Sequence, residues 1–560
     1  MFKAHPKGLP VAFFANMGER FGFYTMVSIF VLFLQAKYGM TPGQAGFMYA
    51  TFMFFVYFFP LLGGFLADRF LGYGRTISLG LAVMFIGYLL LALPTKFQTG
   101  LALIVAALAT IALGTGLFKG NLQALVGLLY DDPRYSALRD RAFTIFYMGI
   151  NIGAMFAPSA SELVSNFILK KNNFFYDARI PALAHEYLSG KLSDVHQLLE
   201  LAQKQNPLIT LENLRQFVET YLGTLSKSYH FGFGLACLSL IISMAIFWGF
   251  RKYYQYADLT ERQKEKSAEL KAQRIELTPQ QTRERLVALG LVFLVVIFFW
   301  MAFHQSAVTM TFFARDYTVK QVGRLTNLWF DLTGLLPLFL SILGLVFFLG
   351  KGSSRATRTA GGLAFVIFAA LTYFRYQSYP EFSPFQPQRF QHFNPFFIVA
   401  LSPLLIWVFG YLNKRGQEPS APRKIGIGML LAAASFSILV IASIGLPSPA
   451  ELGGKVAPPE HLVSVYWLIS TYFLLTVAEI FLSPMGISFV SRVAPPKYKG
   501  LMQGGWFAAT ATGNYLVGVV GYLWMKTPLW SLWMILVVAC IISAAFIFSQ
   551  MRRLEKVAAS

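Results

Sequence analysis

Three charged sites stand alone inside long apolar stretches of this 560-residue chain. Glu19 and Arg20 are adjacent, and residues 22–36 beyond them carry no charge. Lys119 is the only charged residue between positions 97 and 130, and Glu479 is the only one between 462 and 491. A charge inside hydrocarbon costs about 2.5–3.5 kcal/mol on insertion scales. Each of these residues therefore predicts a cavity, a partner or a substrate.

The side-chain types limit what these sites can do. Arg20 has the planar fork that binds a carboxylate through two hydrogen bonds. Lys119 has a second interpretation, as a side chain that extends its ammonium towards the membrane surface. Glu479 either binds a ligand or forms an internal ion pair, for which Lys119 is the candidate partner, and such a pair could act as a gate. We find no nucleophile–base set and no metal-ligand cluster in the sequence, so we expect no enzyme, no cofactor and no metal site.

The composition indicates the elements that must hold these residues. The chain is 56% hydrophobic and only 13% charged, whereas soluble domains carry about 25% charged residues. Its long uncharged stretches predict an all-α polytopic membrane protein with about fourteen spans. We place them near residues 10–36, 45–67, 76–95, 101–125, 142–168, 229–250, 287–313, 326–349, 358–375, 394–412, 424–446, 462–490, 500–524 and 528–550.

The net charge of +21 has a membrane explanation. Lysine and arginine are concentrated in alternate loops, such as the loop with Arg69 and Arg75, and the loops between are nearly free of them. This asymmetry predicts a multi-pass protein of the cell (inner) membrane with both termini cytoplasmic. The lipid bilayer is then the expected partner, and nucleic acid is not. Cys237 and Cys540 lie in apolar segments and are interpreted as small core residues.

Two long polar segments interrupt the spans. Residues 251–286 are charged and helix-prone, and we interpret them as a cytoplasmic linker helix on the membrane surface. Residues 169–228 form an external insert, in which apolar residues from Leu211 to Leu225 repeat at helical spacing. A small external cap is one interpretation of this insert, and a helix on the lipid surface is the other.

These boundaries predict three parts. Residues 1–250 form an N-terminal six-helix bundle, 251–286 the linker, and 287–560 a C-terminal bundle that contains an extra two-helix hairpin at 326–375. Two six-helix halves joined by a cytoplasmic linker are typical of alternating-access transporters built from repeats. The hairpin adds two spans and leaves the orientation of the following helices unchanged.

Motifs along the chain sharpen this prediction. Residues 64–76 (GFLADRFLGYGRT) resemble the cytoplasmic signature of the major facilitator superfamily. In that motif, Asp68 could cap a helix or pair with an arginine, and the glycines allow close helix contact. Residues 19–24 (ERFGFY), 146–153 (FYMGINIG), 394–397 (NPFF), 478–486 (AEIFLSPMG) and 505–507 (GWF) resemble, in order, signatures of the proton-coupled oligopeptide transporters. The chain is thus similar to a divergent member of that family.

The resemblance implies a major facilitator fold and proton-coupled import of di- and tripeptides by alternating access. It assigns Arg20 and Lys119 to the peptide carboxylate and Glu479, with Ser483 one turn later, to the peptide amino terminus. It adds further cavity-lining residues for substrate binding, namely Tyr24, Tyr57, Asn151, Asn394 and Trp506. For each aromatic residue alone, packing in the core or against lipid is the simpler interpretation.

Two positions depart from the family pattern. Asn16 stands where the first-helix motif normally has another glutamate, and an asparagine cannot carry a proton at neutral pH. In residues 299–305 (FWMAFHQ), His304 stands where an acidic residue usually precedes the glutamine. We therefore predict that His304 shares proton coupling with Glu19 and Glu479, although a buried histidine is more often a structural hydrogen-bonder. We interpret Glu162 and Asp331 as interfacial or interhelical.

Three functions follow from these observations. The first is a proton-coupled symporter of small peptides, which we expect to be a monomer whose partners are peptides and protons. The second is a transporter of another anionic or zwitterionic solute, with altered or no proton coupling. The third is a transport-dead membrane sensor or scaffold that uses its external insert. The position of the hairpin, after the seventh span rather than before it, weakens inference about the substrate more than inference about the fold.

Overall fold

The computed structural model describes residues 2, 5–96, 99–130, 134–135, 138–258, 278–350, 354–495 and 499–559, most of them helical. The first half contains α1 (Gly8–Tyr38), α2 (Pro42–Leu66), α3 (Tyr73–Ala92), α4 (Leu101–Leu128), α5 (Arg139–Lys171), α6 (Ile180–Leu188), α7 (Val195–Gln205) and α8 (Leu214–Gly249). The second half begins with α9 (Pro279–Phe303), α10 (Thr309–Asp316), α11 (Arg324–Phe330), α12 (Leu332–Leu349) and α13 (Arg355–Gln377). It continues with α14 (Phe393–Lys414), α15 (Ala421–Ala442), α16 (Tyr466–Val493), α17 (Lys499–Leu523), α18 (Leu529–Ser549) and α19 (Met551–Ala559).

The predicted membrane class is confirmed. In the described part of the chain, thirteen helical segments are long and apolar enough to cross a membrane. The fourteenth predicted span corresponds to α17, a helix of 25 residues. Glycine, threonine and Asn514 make α17 less apolar than the others, and it packs between α2 and α9 inside the protein. Burial against other helices, rather than exposure to lipid, explains its composition.

The spanning helices form two bundles that meet along two seams. In the first bundle α1 packs against α5 and α8, and α4 packs against α2 and α3. In the second, α15 packs against α16 and α18, and α9 packs against α17. Across the middle, α2 lies along α17, and α5 lies against α14 and the short helix that precedes it. The central cavity described below lies between these seams.

Glycines set how closely some of these helices approach. A Cβ atom added to Gly63 of α2 would lie 2.2 Å from the carbonyl oxygen of Gly116 in α4. Only a residue without a side chain fits at such a crossing, as is common between membrane helices. This contact brings α4, and with it Lys119, close to α2.

The seventh predicted span, 287–313, is discontinuous in the structure. The helix α9 ends at Phe303, a short 3₁₀ turn covers His304–Ala307, and α10 begins at Thr309. Gln305 donates to the carbonyl of Met301 and accepts a hydrogen bond of 2.8 Å from the Thr309 hydroxyl. Buried polar groups freed by the break are thus satisfied by side chains. Broken helices of this kind mark ligand sites in transporters.

The predicted external insert has the wrong boundaries. The sixth span begins at Leu214 rather than near 229, because the amphipathic repeat continues into the membrane helix α8. Leu214, Phe217, Val218, Tyr221, Leu222 and Leu225 are buried as the repeat predicts, whereas Leu211 is exposed. With α5 extending to Lys171, the insert shrinks to residues 172–213.

The remaining insert packs as a cap on the ends of the bundle. Its helices α6 and α7 bury leucines such as Leu183 and Leu198. The His185 ring is 2.9 Å from the carbonyl of Ala36 at the end of α1. Packing against protein is the arrangement of a cap rather than of a helix on the lipid surface.

The predicted linker, 251–286, has the correct start, just after the end of α8 at Gly249, but its predicted end lies too far along the chain. Two 3₁₀ turns cover Arg251–Tyr253 and Gln255–Ala257, and α9 already begins at Pro279. Thr278 caps α9 in a reciprocal capping box with Gln281. Residues 259–277, the middle of the predicted linker helix, lie outside the described residues.

Among the described residues, Asp68 of the superfamily motif has neither of the partners considered from the sequence. It lies in a π-helical turn, Ala67–Leu71, and accepts a hydrogen bond of 2.5 Å from the Tyr73 hydroxyl. The amino end of α3 is bound instead by Asp258, which accepts 2.8 Å from the backbone N–H of Gly74. A residue next to the linker thus fills the position predicted for the motif carboxylate.

The extra hairpin is peripheral. The helices α12 and α13 pack on each other at Gly344 and Gly361, and 28% and 6% of their most apolar stretches are buried, against 78% for α1. The base of the hairpin is closed by a short antiparallel pair, β1 (Gln321–Gly323) with β2 (Phe382–Pro384). Asp331 is interhelical, as predicted, because it caps α12 and pairs with Arg375 of α13 at 2.9 Å.

Candidate functional site

One central cavity collects the charged and polar residues that the sequence singled out. It has a volume of about 170 Å³ and lies between the two bundles. Its walls include every predicted substrate-binding residue together with His304, namely Arg20, Tyr24, Tyr57, Lys119, Asn151, His304, Asn394, Glu479, Ser483 and Trp506. Residues separated by more than 450 positions in the chain therefore face a single space.

Glu19 and Arg20 form a closed pair within α1. The guanidinium donates from Nε and Nη2 to the two carboxylate oxygens, at 2.5 Å each. Both side chains are buried, and the guanidinium also lies 4.6 Å from the ring centroid of Phe23. Arg20 reaches the cavity, but one edge of its fork is occupied by Glu19. Arg20, the predicted binding residue for the peptide carboxylate, is thus part of an ion pair with no net charge in this conformation.

Lys119 of α4 is the unpaired cation of the cavity. Its ammonium lies 3.8 Å from the ring centroid of Tyr57, a cation–π contact. No carboxylate within the described residues forms an ion pair with it, and the direct pair with Glu479 considered from the sequence is not formed in this conformation. Because Lys119 faces the cavity among buried residues, the interpretation as a side chain reaching the membrane surface does not hold.

Glu479 of α16 is the unpaired anion. Asn394 donates 2.8 Å to one carboxylate oxygen, and the Tyr147 hydroxyl donates 3.4 Å to the other. Asn394 also lies 3.1 Å from the hydroxyl of Thr476. Both partners of the carboxylate are neutral, so in the described chain its charge is not balanced. A buried charge held only by neutral donors is costly and is poised to bind a cation or a proton.

His304 stands at the break between α9 and α10. Its ring stacks on Trp300 with centroids 5.1 Å apart and lies 6.2 Å from the ring of Tyr57. Its Nδ1 has no hydrogen-bond partner among the described residues. The same holds for both side-chain polar atoms of Asn514, which lies beside it. His304 therefore joins the cavity wall next to Lys119 rather than next to Glu19.

With the sixth span beginning near 229, the sequence predicts His304 as the only histidine well inside a span, but the structure places a second one there. His230 is buried in α8, 2.9 Å from the ammonium of Lys37 and 2.7 Å from the carbonyl of Leu91. The error follows from the misplaced start of the sixth span. His392, before α14, is buried as well and contacts the carbonyl of Trp329.

The remaining predicted residues have mainly positioning contacts. Asn151 donates 3.0 Å to the carbonyl of Tyr147 one turn earlier. The Trp506 ring is 4% exposed and lies directly against the backbone of Gly486, where a Cβ atom would be 2.0 Å from it. Asn16 lines the cavity with its Nδ2 unpaired within the described chain. These groups offer neutral hydrogen bonds and an aromatic wall.

Sequence reasoning missed Tyr147 and Thr510. Both line the cavity, and Tyr147 is a direct ligand of Glu479. Helical spacing carried the signal, because Tyr147 precedes Asn151 by four residues and Thr510 follows Trp506 by four. Residues four apart share one face of a helix. Tyr147 already lies within the motif at residues 146–153, and extending the motif at residues 505–507 by one turn would have identified Thr510.

With this geometry established, comparisons with known proteins place the chain. The family model described as "POT family" matches residues 74–270 and 377–534, together more than half of the chain. The chain belongs to the POT family. The matched segments of this POT family member contain Lys119, Asn394 and Glu479, whereas Arg20 and His304 lie outside them.

Relatives and a solved structure agree with this assignment. The POT protein is 27% identical over 540 residues to "Dipeptide and tripeptide permease A" of Erwinia pyrifoliae, covering 93% of this chain and 86% of the relative. It is 27% identical to "Peptide transporter YePEPT" of Yersinia enterocolitica, covering 93% and 88%. A crystal structure of a mutant peptide transporter POT in complex with alafosfalin superposes with a TM-score of 0.64 at 22% identity, covering 100% and 96%. This last similarity confirms the predicted major facilitator fold.

Proposed function

We propose that this POT family member is a secondary active transporter that imports di- and tripeptides with protons, by alternating access. The single observation that carries the proposal is the pair of unbalanced charges in the cavity. Lys119 on the first bundle and Glu479 on the second have no partner of opposite charge among the described residues. A peptide with free termini supplies one carboxylate and one ammonium, and so satisfies both.

The assignment of each end follows from charge. Lys119 and Arg20 provide the cations for the peptide carboxylate, and Glu479 provides the anion for the amino terminus, with Asn394 holding its carboxylate in place. Tyr57 and Trp506 provide walls that accept varied side chains. Because Lys119 and Glu479 belong to different bundles, a bound peptide links the two bundles electrostatically. We interpret the gating role of Lys119 and Glu479 as this link, which forms between the bundles only when a peptide is bound.

Proton coupling is assigned to Glu19, Glu479 and His304. Protonation of Glu19 removes the charge that occupies one edge of the Arg20 fork, which then becomes available to the substrate carboxylate. Glu479 has only neutral ligands, so it can accept a proton when no peptide ammonium is present. His304 contributes a group that titrates near neutral pH in ordinary surroundings. Asn16 cannot take part in the same way.

The lysine and arginine asymmetry of the loops supports a location in the inner membrane with both termini in the cytoplasm. The names of the relatives support small peptides as the substrate class. We propose a monomer, because both walls of the cavity come from one chain. On this account the protein is a transporter and needs no cofactor.

Reconstituted protein tests the proposal. Proteoliposomes with an inward proton gradient should concentrate labelled dialanine, and a protonophore should abolish the accumulation. If uptake is the same with and without the proton gradient, the protein is a transporter without proton coupling rather than a symporter. Absence of uptake and of competition by a wide solute set, with protein shown to be folded, would contradict transport and favour a sensor or scaffold.

A further inference from the structure

A second buried ion pair lies outside the central cavity. Glu162 of α5 is 1% exposed, and the guanidinium Nε of Arg389 donates 2.5 Å to its carboxylate. Arg389 belongs to the short 3₁₀ helix Pro387–His392 that leads into α14. The two partners therefore belong to different bundles, and their pair joins α5 to the second half of the protein.

A neutral hydrogen bond reinforces the same joint one turn along α5. Gln386 donates 2.6 Å to the side-chain oxygen of Asn166, and Asn166 donates 3.5 Å back to Glu162. Gln388 in turn donates 2.5 Å to Gln386. We call the four residues Glu162, Asn166, Gln386 and Arg389 the outer joint.

The outer joint lies between the cavity and the cap. Glu162 follows Pro158, the last cavity residue of α5, by four positions, which is about 6 Å at 1.5 Å per residue. It lies towards Lys171, where α5 meets the cap. Other polar contacts also cross between the bundles at this end, including Gln35 with Arg315 at 2.5 Å and the Ser28 carbonyl with Gln391 at 3.4 Å. The conformation is thus closed on the predicted external side.

We propose that the outer joint is the external gate of the transporter, and that Glu162 takes up a proton from the external solution when the gate opens. This inference rests on the proposed alternating access. Opening towards the outside must separate α5 from the segment that carries Arg389. A proton from the external solution then adds to the Glu162 carboxylate, and when the pair with Arg389 forms again this proton is released to water in the closing cavity.

The two partners keep different contacts after separation. Arg389 stays charged at every physiological pH, and it retains the carbonyl of Phe330 in its own bundle at 3.4 Å. Glu162 retains only the weak contact with Asn166 on its own side among the described residues. A buried charge without its partner is strongly destabilising. A proton on Glu162 removes this unpaired charge and therefore stabilises the open conformation.

Other groups around Glu162 do not replace Arg389. The neighbouring positions of α5 face α1 and α8 through serines, with Ser161 3.2 Å from Ser28 and Ser165 2.9 Å from Ser228. From the cap and α10, the titratable and charged groups on this side are Tyr176, Asp177 and the Arg315–Asp316 pair, and Arg315 already binds Asp316. In the described chain, Arg389 is the one cation bonded to Glu162.

Cysteine labelling tests the gate without requiring transport. Both native cysteines are buried, so a probe cysteine at Gln391, which bridges α1 and the second bundle, reports opening of the external side. A membrane-impermeant maleimide is applied outside at neutral and at acidic pH, and labelling at each pH is expressed relative to an exposed reference cysteine at Glu212, because maleimides react with the thiolate and its fraction falls in acid. With Glu162 present, acidification should increase labelling several-fold. In the Glu162→Gln variant, labelling at neutral pH should already equal the acidic level and lose its pH dependence.

Further variants separate the gate from a structural role. Glu162→Asp keeps a carboxylate and should retain the pH response. Glu186→Gln removes another carboxylate that crosses the bundles, at 2.9 Å from Lys455 on the outer surface, and should leave the response intact. A Glu162→Gln protein that responds to pH like its parent would overturn the proposal. Because dialanine uptake is measured separately on unmodified protein, failure of the gate and failure of the proposed function give different results.

Discussion

Buried charges of opposite sign are unpaired in the central cavity but bonded to each other in the outer joint. In the cavity, Lys119 and Glu479 face each other's bundle and remain unpaired within the described residues. At the outer joint, Glu162 and Arg389 are bonded directly across the bundles at 2.5 Å. Each region contains charges of both signs, and in each the two halves of the protein both contribute, so composition alone does not explain the difference.

The difference assigns a different task to each region. A pair that is already satisfied holds one conformation, and energy is needed to separate it. Charges left unsatisfied stabilise the arrangement only when a ligand supplies their partners. The unpaired cavity is therefore the place for a substrate, and the paired joint is the place for a gate.

Removing the anion of the cavity should have the largest effect. The Glu479→Gln variant should bind dialanine roughly 10- to 150-fold more weakly, since a hydrogen bond to a charged group contributes about 1.5–3 kcal/mol. The effect is the largest because no other carboxylate of the described cavity is free to bind the amino terminus. Competition binding measures it.

A matched substitution and a blocked substrate control this result. Glu212→Gln makes the same change at an exposed position of the external segment and should bind like the parent protein. N-acetyl dialanine lacks the ammonium, so it should bind the parent and the Glu479→Gln variant equally weakly. If the variant prefers dialanine over N-acetyl dialanine as strongly as the parent does, Glu479 does not bind the amino terminus of the peptide.

Removing the cation should have a smaller effect. Lys119→Gln should weaken dialanine binding roughly tenfold, or about 1.4 kcal/mol, because Arg20 remains as a second cation for the carboxylate. The variant should also lose part of its preference for dialanine over dialaninamide. Lys414→Gln, at an exposed position of α14, is the control. If the variant prefers dialanine over dialaninamide as strongly as the parent does, Lys119 does not bind the peptide carboxylate.

His304 belongs to the cavity wall but is predicted to take part in proton coupling rather than in substrate binding. The His304→Gln variant should keep peptide exchange between equal proton concentrations and lose part of the proton-driven accumulation. The pH profile of uptake should change with it. Accumulation and a pH profile equal to those of the parent would assign His304 a structural role beside Trp300.

The hairpin pair Asp331–Arg375 should give the smallest effect. Burial alone would raise the pKa of Asp331, but hydrogen bonds from Thr333 and Tyr379 and the nearby Arg375 charge outweigh it and hold that pKa below its usual value. A lowered pKa contributes stability above the ordinary aspartate pKa of about 3.9 and loses it as pH falls below that value.

We therefore expect Asp331→Asn to lower the free energy of unfolding by about 1 kcal/mol at most at neutral pH, because the charge that binds Arg375 is lost while asparagine still caps the helix, and to leave transport unchanged. The loss should disappear in acid, where the parent carboxylate is protonated as well. Thermal unfolding in detergent at both pH values measures it. A large loss of uptake would instead connect the hairpin to the transport cycle.

Much of the fold was predictable because membrane spans depend on local composition. Thirteen of the fourteen predicted spans correspond to apolar helices, and the fourteenth is the less apolar α17. The errors lie where a helix continues past the membrane. The amphipathic start of α8 and the charged start of α9 belong to long helices, and hydropathy does not detect such extensions.

The central site was predictable for a different reason. Isolated charges such as Lys119 and Glu479 are conspicuous against apolar surroundings, and the motifs carried their neutral neighbours Asn151 and Asn394. Tyr147 was missed because tyrosine is common in membrane helices. The outer joint was missed because Arg389 lies in a polar stretch before α14, where an arginine attracts no notice.

By itself, the sequence determined that buried charges exist, on which helices they lie, and which family motifs surround them. Only the tertiary structure decided which charges meet. Coulomb attraction depends on the distance between side chains in space, and Glu162 and Arg389 are 227 positions apart in the chain. The same packing that bonds those two across the bundles leaves Lys119 and Glu479 unpaired around a cavity, in position for a ligand that carries both charges.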